Sequence, residues 1–176
     1  ENNIIHLDLK PGNIWLRPNK EALILDFGTA RIIDDPVKSK QPPMHTPGYA
    51  APEQHREFFQ PQRVGVWTDY YGLGTTLYAL IERGTPKPSP QFLLNNNCIT
   101  MTEERKGQFS EKLLSLVEYL TQPEWDKRKK INLKEVINQL KRIKPIPQTE
   151  NFTDMLYQKM NVAENIFFEE HPEYKK

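Results

Sequence analysis

Between residues 6 and 13 the chain reads His6-Leu7-Asp8-Leu9-Lys10-Pro11-Gly12-Asn13, which sets a carboxylate, an ammonium and an amide at spacings of two and three. Their place is a tight loop between short strands. A carboxylate there can accept a hydroxyl proton, an ammonium can neutralise phosphate charge, and an amide oxygen can ligate a hard divalent ion. Thirteen residues after Asn13 comes Asp26-Phe27-Gly28, a second oxygen ligand at the end of the apolar run Ala22 to Leu25, released by a glycine. Taken singly these groups are ordinary, since a loop Asp is most often a turn former. Together they suit phosphoryl transfer, which needs charge neutralisation and in-line positioning more than covalent chemistry.

The elements that must hold these groups are readable from pattern. Ile4-Ile5, Asn13 to Leu16 and Ala22 to Leu25 read as strands, with Arg17-Pro18-Asn19-Lys20 as a hairpin connection between the last two. Residues 29–50 hold four prolines and no apolar period, so a long irregular segment is expected. After Pro52 the pattern turns helical, with Glu53 suited to the positive end of that helix. The strongest helix is Thr68 to Glu82: Tyr70, Leu73, Leu77 and Leu80-Ile81 follow the helical repeat, and Gly84-Thr85-Pro86 stops it. Apolar residues lie nearly all round it, which predicts a buried central helix. Ser110 caps a second helix carrying Leu113, Leu116, Val117 and Leu120, and Asn132 a third carrying Leu133, Val136, Ile137 and Leu140. Pro145 and Pro147 break the chain, leaving 146–176 as a tail with one helix around 152–168, whose Phe152, Leu156, Phe167 and Phe168 either pack back on the lobe, the favoured reading, or bind a partner. The fold class is α+β, mainly α-helical, with a small strand pair near its start.

Composition bounds the rest. The 176 residues are 37% hydrophobic and 27% charged, globular rather than disordered proportions. Lys and Arg number 24 against 23 Asp and Glu, so no global attraction to nucleic acid or anionic lipid follows, and Lys127-Arg128-Lys129-Lys130 reads as a solvated face. No apolar run nears the roughly 18 residues a membrane span requires. The single cysteine, Cys98, has no partner for a disulfide or metal pair, which suits a reducing compartment, and a cytoplasmic location is expected. His45, His55 and His171 lack metal-ligand spacing and read as surface or packing residues.

These residues resemble the signature of the eukaryotic-type protein kinase superfamily, over roughly residues 1–145. His6-Leu7-Asp8 to Asn13 is similar to the catalytic loop, Asp26-Phe27-Gly28 to the magnesium-binding triplet, and Ala51-Pro52-Glu53 to the end of the activation segment. Thr46-Pro47-Gly48-Tyr49 resembles the substrate-adjacent loop, and Asp69-Tyr70-Tyr71-Gly72-Leu73-Gly74 the Asp-led central helix. The resemblance implies a serine/threonine kinase C-terminal lobe using ATP and Mg2+ on a protein Ser/Thr hydroxyl. It implies Asp8 as base, Lys10 as phosphate neutraliser, Asn13 and Asp26 as metal ligands, and Thr46 bridging base and lysine. Gly28 would be a hinge, and His6, Phe27, Glu53 and Asp69 structural organisers.

Departures from the pattern carry expectations too. Leu7 stands where the family has an arginine that pairs with activation-segment phosphate, so phosphorylation there, at Ser39 for instance, is expected to do little. Gly12 removes a glutamate that reads substrate arginine in basophilic members. Trp15 falls where a smaller aliphatic side chain lies beneath adenine; it packs on the nucleotide, crowds it, or is a core aromatic. Arg128 and Lys130 fit equally well as the partner of Glu53. No glycine-rich phosphate loop or strand lysine occurs, so an N-terminal lobe is expected to be missing, leaving the isolated chain inactive and its apolar surface, with Phe27 and His6, prone to association. The alternatives are a non-catalytic binding module and an aminoglycoside- or choline-kinase-like phosphotransferase. Against the latter stand Lys10, Ala51-Pro52-Glu53 and Asp69 to Gly74.

Overall fold

The structure is a computed structural model that describes residues 4–19, 21–33, 40–94 and 98–142. In chain order the elements are β1 (Ile4–Ile5), β2 (Ile14–Leu16), β3 (Ala22–Ile24), β4 (Arg31–Ile32), α1 (Val66–Glu82), α2 (Ser89–Leu94), α3 (Glu103–Lys106), α4 (Glu111–Leu120), α5 (Trp125–Lys129) and α6 (Leu133–Lys141). This is the expected mainly helical α+β class, with two antiparallel strand pairs in place of one. They fall into two compact units, one drawn from Gly12–Leu25, the other from Glu1–Pro11 and Asp26–Ile143. No described helix is long and apolar enough to cross a membrane. The expected tail, and Ser39, lie outside the described residues.

The smaller unit is the expected hairpin. β2 and β3 pair antiparallel with Ile14 opposite Ile24, Trp15 opposite Leu23 and Leu16 opposite Ala22. Asn19 Oδ1 accepts from Glu21 N–H at 3.1 Å, the local side-chain turn that lets the chain reverse between them.

In the larger unit, α1 is the centre. It begins two residues earlier than the apolar repeat indicates, because Gly65 N–H bonds the hydroxyl of Thr68 at 3.1 Å and opens the first turn before the repeat starts. Its end falls on Arg83, which takes the left-handed conformation (φ 57°), while Gly84 N–H reaches back to Ala79 O. The buried face of α1 is largely small or polar, with Thr68, Gly72, Gly74, Thr75 and Thr76 beside Tyr71, Ala79 and Ile81. This lets neighbours approach closely: a Cβ at Gly74 would come within 2.7 Å of the Thr121 methyl. Two apolar clusters complete the core, Ile81 with Met101, Leu114 and Val117, and Leu116 with Leu120, Ile131 and Val136. Both expected caps are present. Ser110 Oγ accepts from Leu113 N–H at 3.4 Å, and Asn132 Oδ1 from Lys134 N–H at 3.0 Å.

Three expectations are corrected. The helix after Pro52 is only a 3-10 turn, Pro52–Gln54: Gln54 Oε1 captures the Ala51 N–H at 2.9 Å and His55 is already extended, so nothing propagates. The irregular segment contains β4, which pairs with β1 in the register Ile4 to Ile32 and Ile5 to Arg31. Two-residue strands have no period to read; tertiary pairing makes them. Finally α2, α3 and α5 are additional short helices.

Candidate active site

The chain leaves β1 into His6-Leu7-Asp8, and the helix α1 fixes its path. Asp69, in the first turn of α1, accepts from the His6 and Leu7 N–H groups, each at 2.8 Å, through its two carboxylate oxygens. Burial raises the Asp69 carboxyl above its ordinary range, partly offset by these two donors. Leu7 is thereby held at φ 69°, a left-handed conformation that a leucine adopts only under constraint, with its side chain 3% exposed. Gln54 Nε2 donates to Leu7 O at 2.7 Å, and Thr29 Oγ1 to His6 O at 2.9 Å. The His6 ring meets Phe27 edge-on, 5.0 Å between centroids, tying the Asp26 triplet to the loop.

Asp8, presented by this loop, is almost buried. Its Oδ2 accepts from Lys10 Nζ at 2.8 Å; its Oδ1 accepts from Thr46 Oγ1 at 2.7 Å and Thr46 N–H at 3.1 Å. Lys10 Nζ also donates to Thr46 Oγ1 at 2.7 Å, closing a three-residue ring. Burial by itself raises the Asp8 carboxyl, but the Lys10 and Thr46 hydrogen bonds and the Lys10 charge outweigh it and hold it below the ordinary 3.8. It stays ionised near neutrality and is a weak base, so what it offers a hydroxyl is orientation. Thr46 is anchored from behind. Its carbonyl accepts from Tyr49 and Ala50 N–H, both at 3.2 Å, and Gly48 at φ 90° turns the segment where a Cβ would strike Pro86 O at 2.5 Å.

Asp26 is exposed and left-handed (φ 58°); its Oδ1 accepts from Gly28 N–H at 3.1 Å, while Oδ2 makes no hydrogen bond among the described residues. Among those residues no three His, Cys, Asp or Glu side chains converge on a metal-sized site. A divalent ion would therefore need amide, phosphate or water oxygens as well, which is how Mg2+ is commonly held. Asn13 and Trp15 belong to the smaller unit. Asn13 is buried, with its carbonyl accepting from Leu25 N–H at 2.8 Å, and Trp15 is half-buried in β2.

The Glu53 partner is Arg128. Its Nη2 donates to Glu53 Oε1, Nε to Trp67 O at 3.1 Å, and Nη1 to Pro123 O at 3.0 Å and to Gln122 O. Lys130 is exposed. Thr68 Oγ1 also donates to Glu53 Oε1, at 2.9 Å. Thr68, Gln54 and Thr29 had no signal in the sequence that separates them from other polar residues. His45 and His55 pack ring against ring at 4.4 Å, the packing role expected for them.

Comparison with known proteins agrees with this geometry. The protein kinase domain model matches residues 1–140, and the chain belongs to that family, whose members generally use ATP and Mg2+. It is 30% identical over 146 residues to the phosphorylase b kinase gamma catalytic chain, liver/testis isoform, of Mus musculus, covering 82% of this chain and 32% of that one. It is 35% identical over 86 residues to the probable serine/threonine-protein kinase PknB of Bifidobacterium longum, covering 47% of this chain and 12% of that one. A solved structure of PpkA-294 in its apo form aligns with TM-score 0.59 and 28% identity, over 77% of this chain and 46% of that one. The chain thus spans about a third or less of these curated relatives.

Proposed function

We propose that the chain carries the catalytic-loop portion of a serine/threonine protein kinase, transferring the ATP γ-phosphate to protein Ser or Thr hydroxyls. The observation that supports this most directly is the Asp8, Lys10 and Thr46 ring. It leaves an ionised carboxylate to orient an acceptor hydroxyl beside an ammonium that neutralises the moving phosphoryl group. Such transfer leans on positioning and charge rather than a strong base, which suits a carboxyl held below its ordinary range. Asn13 and Asp26 would hold Mg2+, which when bound neutralises phosphate charge; Trp15 would lie toward the adenine. Lys10 and Thr46, the pattern of Ser/Thr members, carry the acceptor preference. The α- and β-phosphate contacts would come from outside these 176 residues, each charge-assisted bond worth about 1.5–3 kcal/mol. The partner is a protein carrying a Ser or Thr acceptor, and the single cysteine, Cys98, suits a cytoplasmic location for the kinase.

The test is phosphate transfer from labelled ATP by the longest natural polypeptide containing this chain, followed by acid hydrolysis of the acceptor. Phosphoserine or phosphothreonine should form and fall at least a hundredfold in Asp8→Asn. Equal transfer by Asp8→Asn, or phosphotyrosine alone, would overturn the proposal.

A further inference from the structure

Gly48, two residues past Thr46, packs against the segment that follows α1: a Cβ on it would stand 2.5 Å from Pro86 O and 3.1 Å from the Thr85 methyl. The next residue along that segment is Lys87, exposed and set between Pro86, itself buried, and Pro88. Pro86 fixes its own φ and Pro88 disfavours a helical backbone at Lys87, so the side chain leaves from a pre-set base. Among the described residues Lys87 makes no ion pair and no side-chain hydrogen bond. The carboxylates between residues 43 and 90 are engaged elsewhere. Glu53 binds Arg128 and Thr68, Asp69 holds the His6 and Leu7 N–H groups, Glu82 accepts from Thr102, and Glu57 acts on the His55 ring.

We infer that Lys87 selects protein substrates with an anionic side chain, a carboxylate or an already placed phosphate, about two to four residues from the Ser or Thr acceptor. The inference rests on the phosphotransfer reading and names a substrate class for the same site. An acceptor hydroxyl must approach Asp8, whose Oδ1 is held by Thr46, so the residues flanking the acceptor cross the exposed Pro47. Two residues of chain separate Thr46 from Gly48, and a lysine side chain adds a similar reach. An extended peptide, at about 3.3–3.6 Å per residue, bridges that span in about two to four residues. The ammonium is a point charge on a flexible stem, which suits one anionic group at one position. Lys and Arg number 24 against 23 Asp and Glu, so no general attraction to acidic peptides competes with this local charge.

The test uses the longest natural polypeptide containing this chain and a neutral host peptide with one Ser. Asp is walked through the positions on both sides of that Ser and compared with Asn at the same place. At one or two positions kcat/KM should rise about threefold for Asp over Asn, through KM, the scale of one exposed ion pair. Phosphoserine at the same place exceeding Asp assigns the phosphate source, and an equal or smaller gain the carboxylate. The gain should vanish in Lys87→Gln, pass to Lys peptides in Lys87→Glu, and persist in Lys130→Ala, which removes an exposed cation at the end of α5. It should also shrink as salt rises from about 0.05 to about 0.5 M. Equal transfer to Asp and Asn peptides, a gain spread evenly over all positions, or a gain that survives Lys87→Gln would each overturn this inference and leave the phosphotransfer reading standing. No transfer to any peptide or to a generic protein acceptor would overturn both.

Discussion

Arg128 and Glu53, 75 residues apart, form an ion pair with side chains 0% and 2% exposed. The guanidinium also binds three backbone carbonyls and lies 5.2 Å from the Tyr71 ring centroid. Through these bonds it joins the end of the Ala51-Pro52-Glu53 turn to the approach to α5 and the first turn of α1. Removing one member of such a pair leaves a buried charge uncompensated, at a cost of about 3–5 kcal/mol. Arg128→Met should therefore show a large drop in urea midpoint. The double variant Arg128→Met, Glu53→Leu should be more stable than that single variant, since no lone charge remains. Strictly additive losses across this cycle would refute the coupling.

What the sequence made legible was local, and what it hid was long-range. Tyr70, Leu73 and Leu77 declare α1 because helical spacing lies within one segment, and Ser110 and Asn132 declare caps because capping is a contact three residues long or less. β4 was invisible: Arg31 and Ile32 become a strand only by meeting Ile5 and Ile4. The choice between Arg128 and Lys130 was equally hidden, since it depends on which face of the single-turn α5 and its end meets Glu53. The Asp8 and Thr46 contact spans 38 residues, and only the resemblance to a family pointed to it. Gln54, which supports both Leu7 and Ala51, had neither spacing nor resemblance to mark it.

The His45 and His55 stack makes stability depend on mildly acidic pH. Burial, followed by the His45 charge, lowers the His55 imidazole from 6.5 to about 4, with Glu57 working weakly against this. Its buried Nε2 has no hydrogen-bond partner. The unfolded chain takes up this proton near pH 6.5 and the folded chain only near 4, so stability should fall as pH drops through that interval. The Asp8 carboxyl is lowered too, but there the shift favours the charged form, and its contribution is lost as pH falls below the ordinary 3.8, a separate window. Urea midpoints at pH 7.5, 5.5 and 4.5 should decline more steeply for the natural chain than for His55→Gln. Parallel declines would remove His55 as the cause.

Gly72 sets how closely α1 supports the loop that carries Asp8 and Lys10. A Cβ there would lie 3.0 Å from Leu9 Cβ and 3.2 Å from Leu9 O, so Leu9, between the two chemical residues, must shift by a few tenths of an ångström. The φ of Gly72 is not in the left-handed range, so Gly72→Ala tests contact rather than backbone strain. Overpacking of this kind costs about 1–3 kcal/mol. Because displacements of about 1 Å can reduce turnover by roughly a hundredfold, this smaller shift should lower phosphotransfer by roughly tenfold in the longest natural polypeptide. Gly107→Ala, where a Cβ meets nothing within 4 Å, is the matched control and should leave transfer unchanged. If Gly72→Ala loses stability but keeps full turnover below its melting temperature, α1 holds up the fold without setting the position of Asp8. If turnover falls while the control stays intact, the spacing between Gly72 and Leu9 is part of how the loop is aimed.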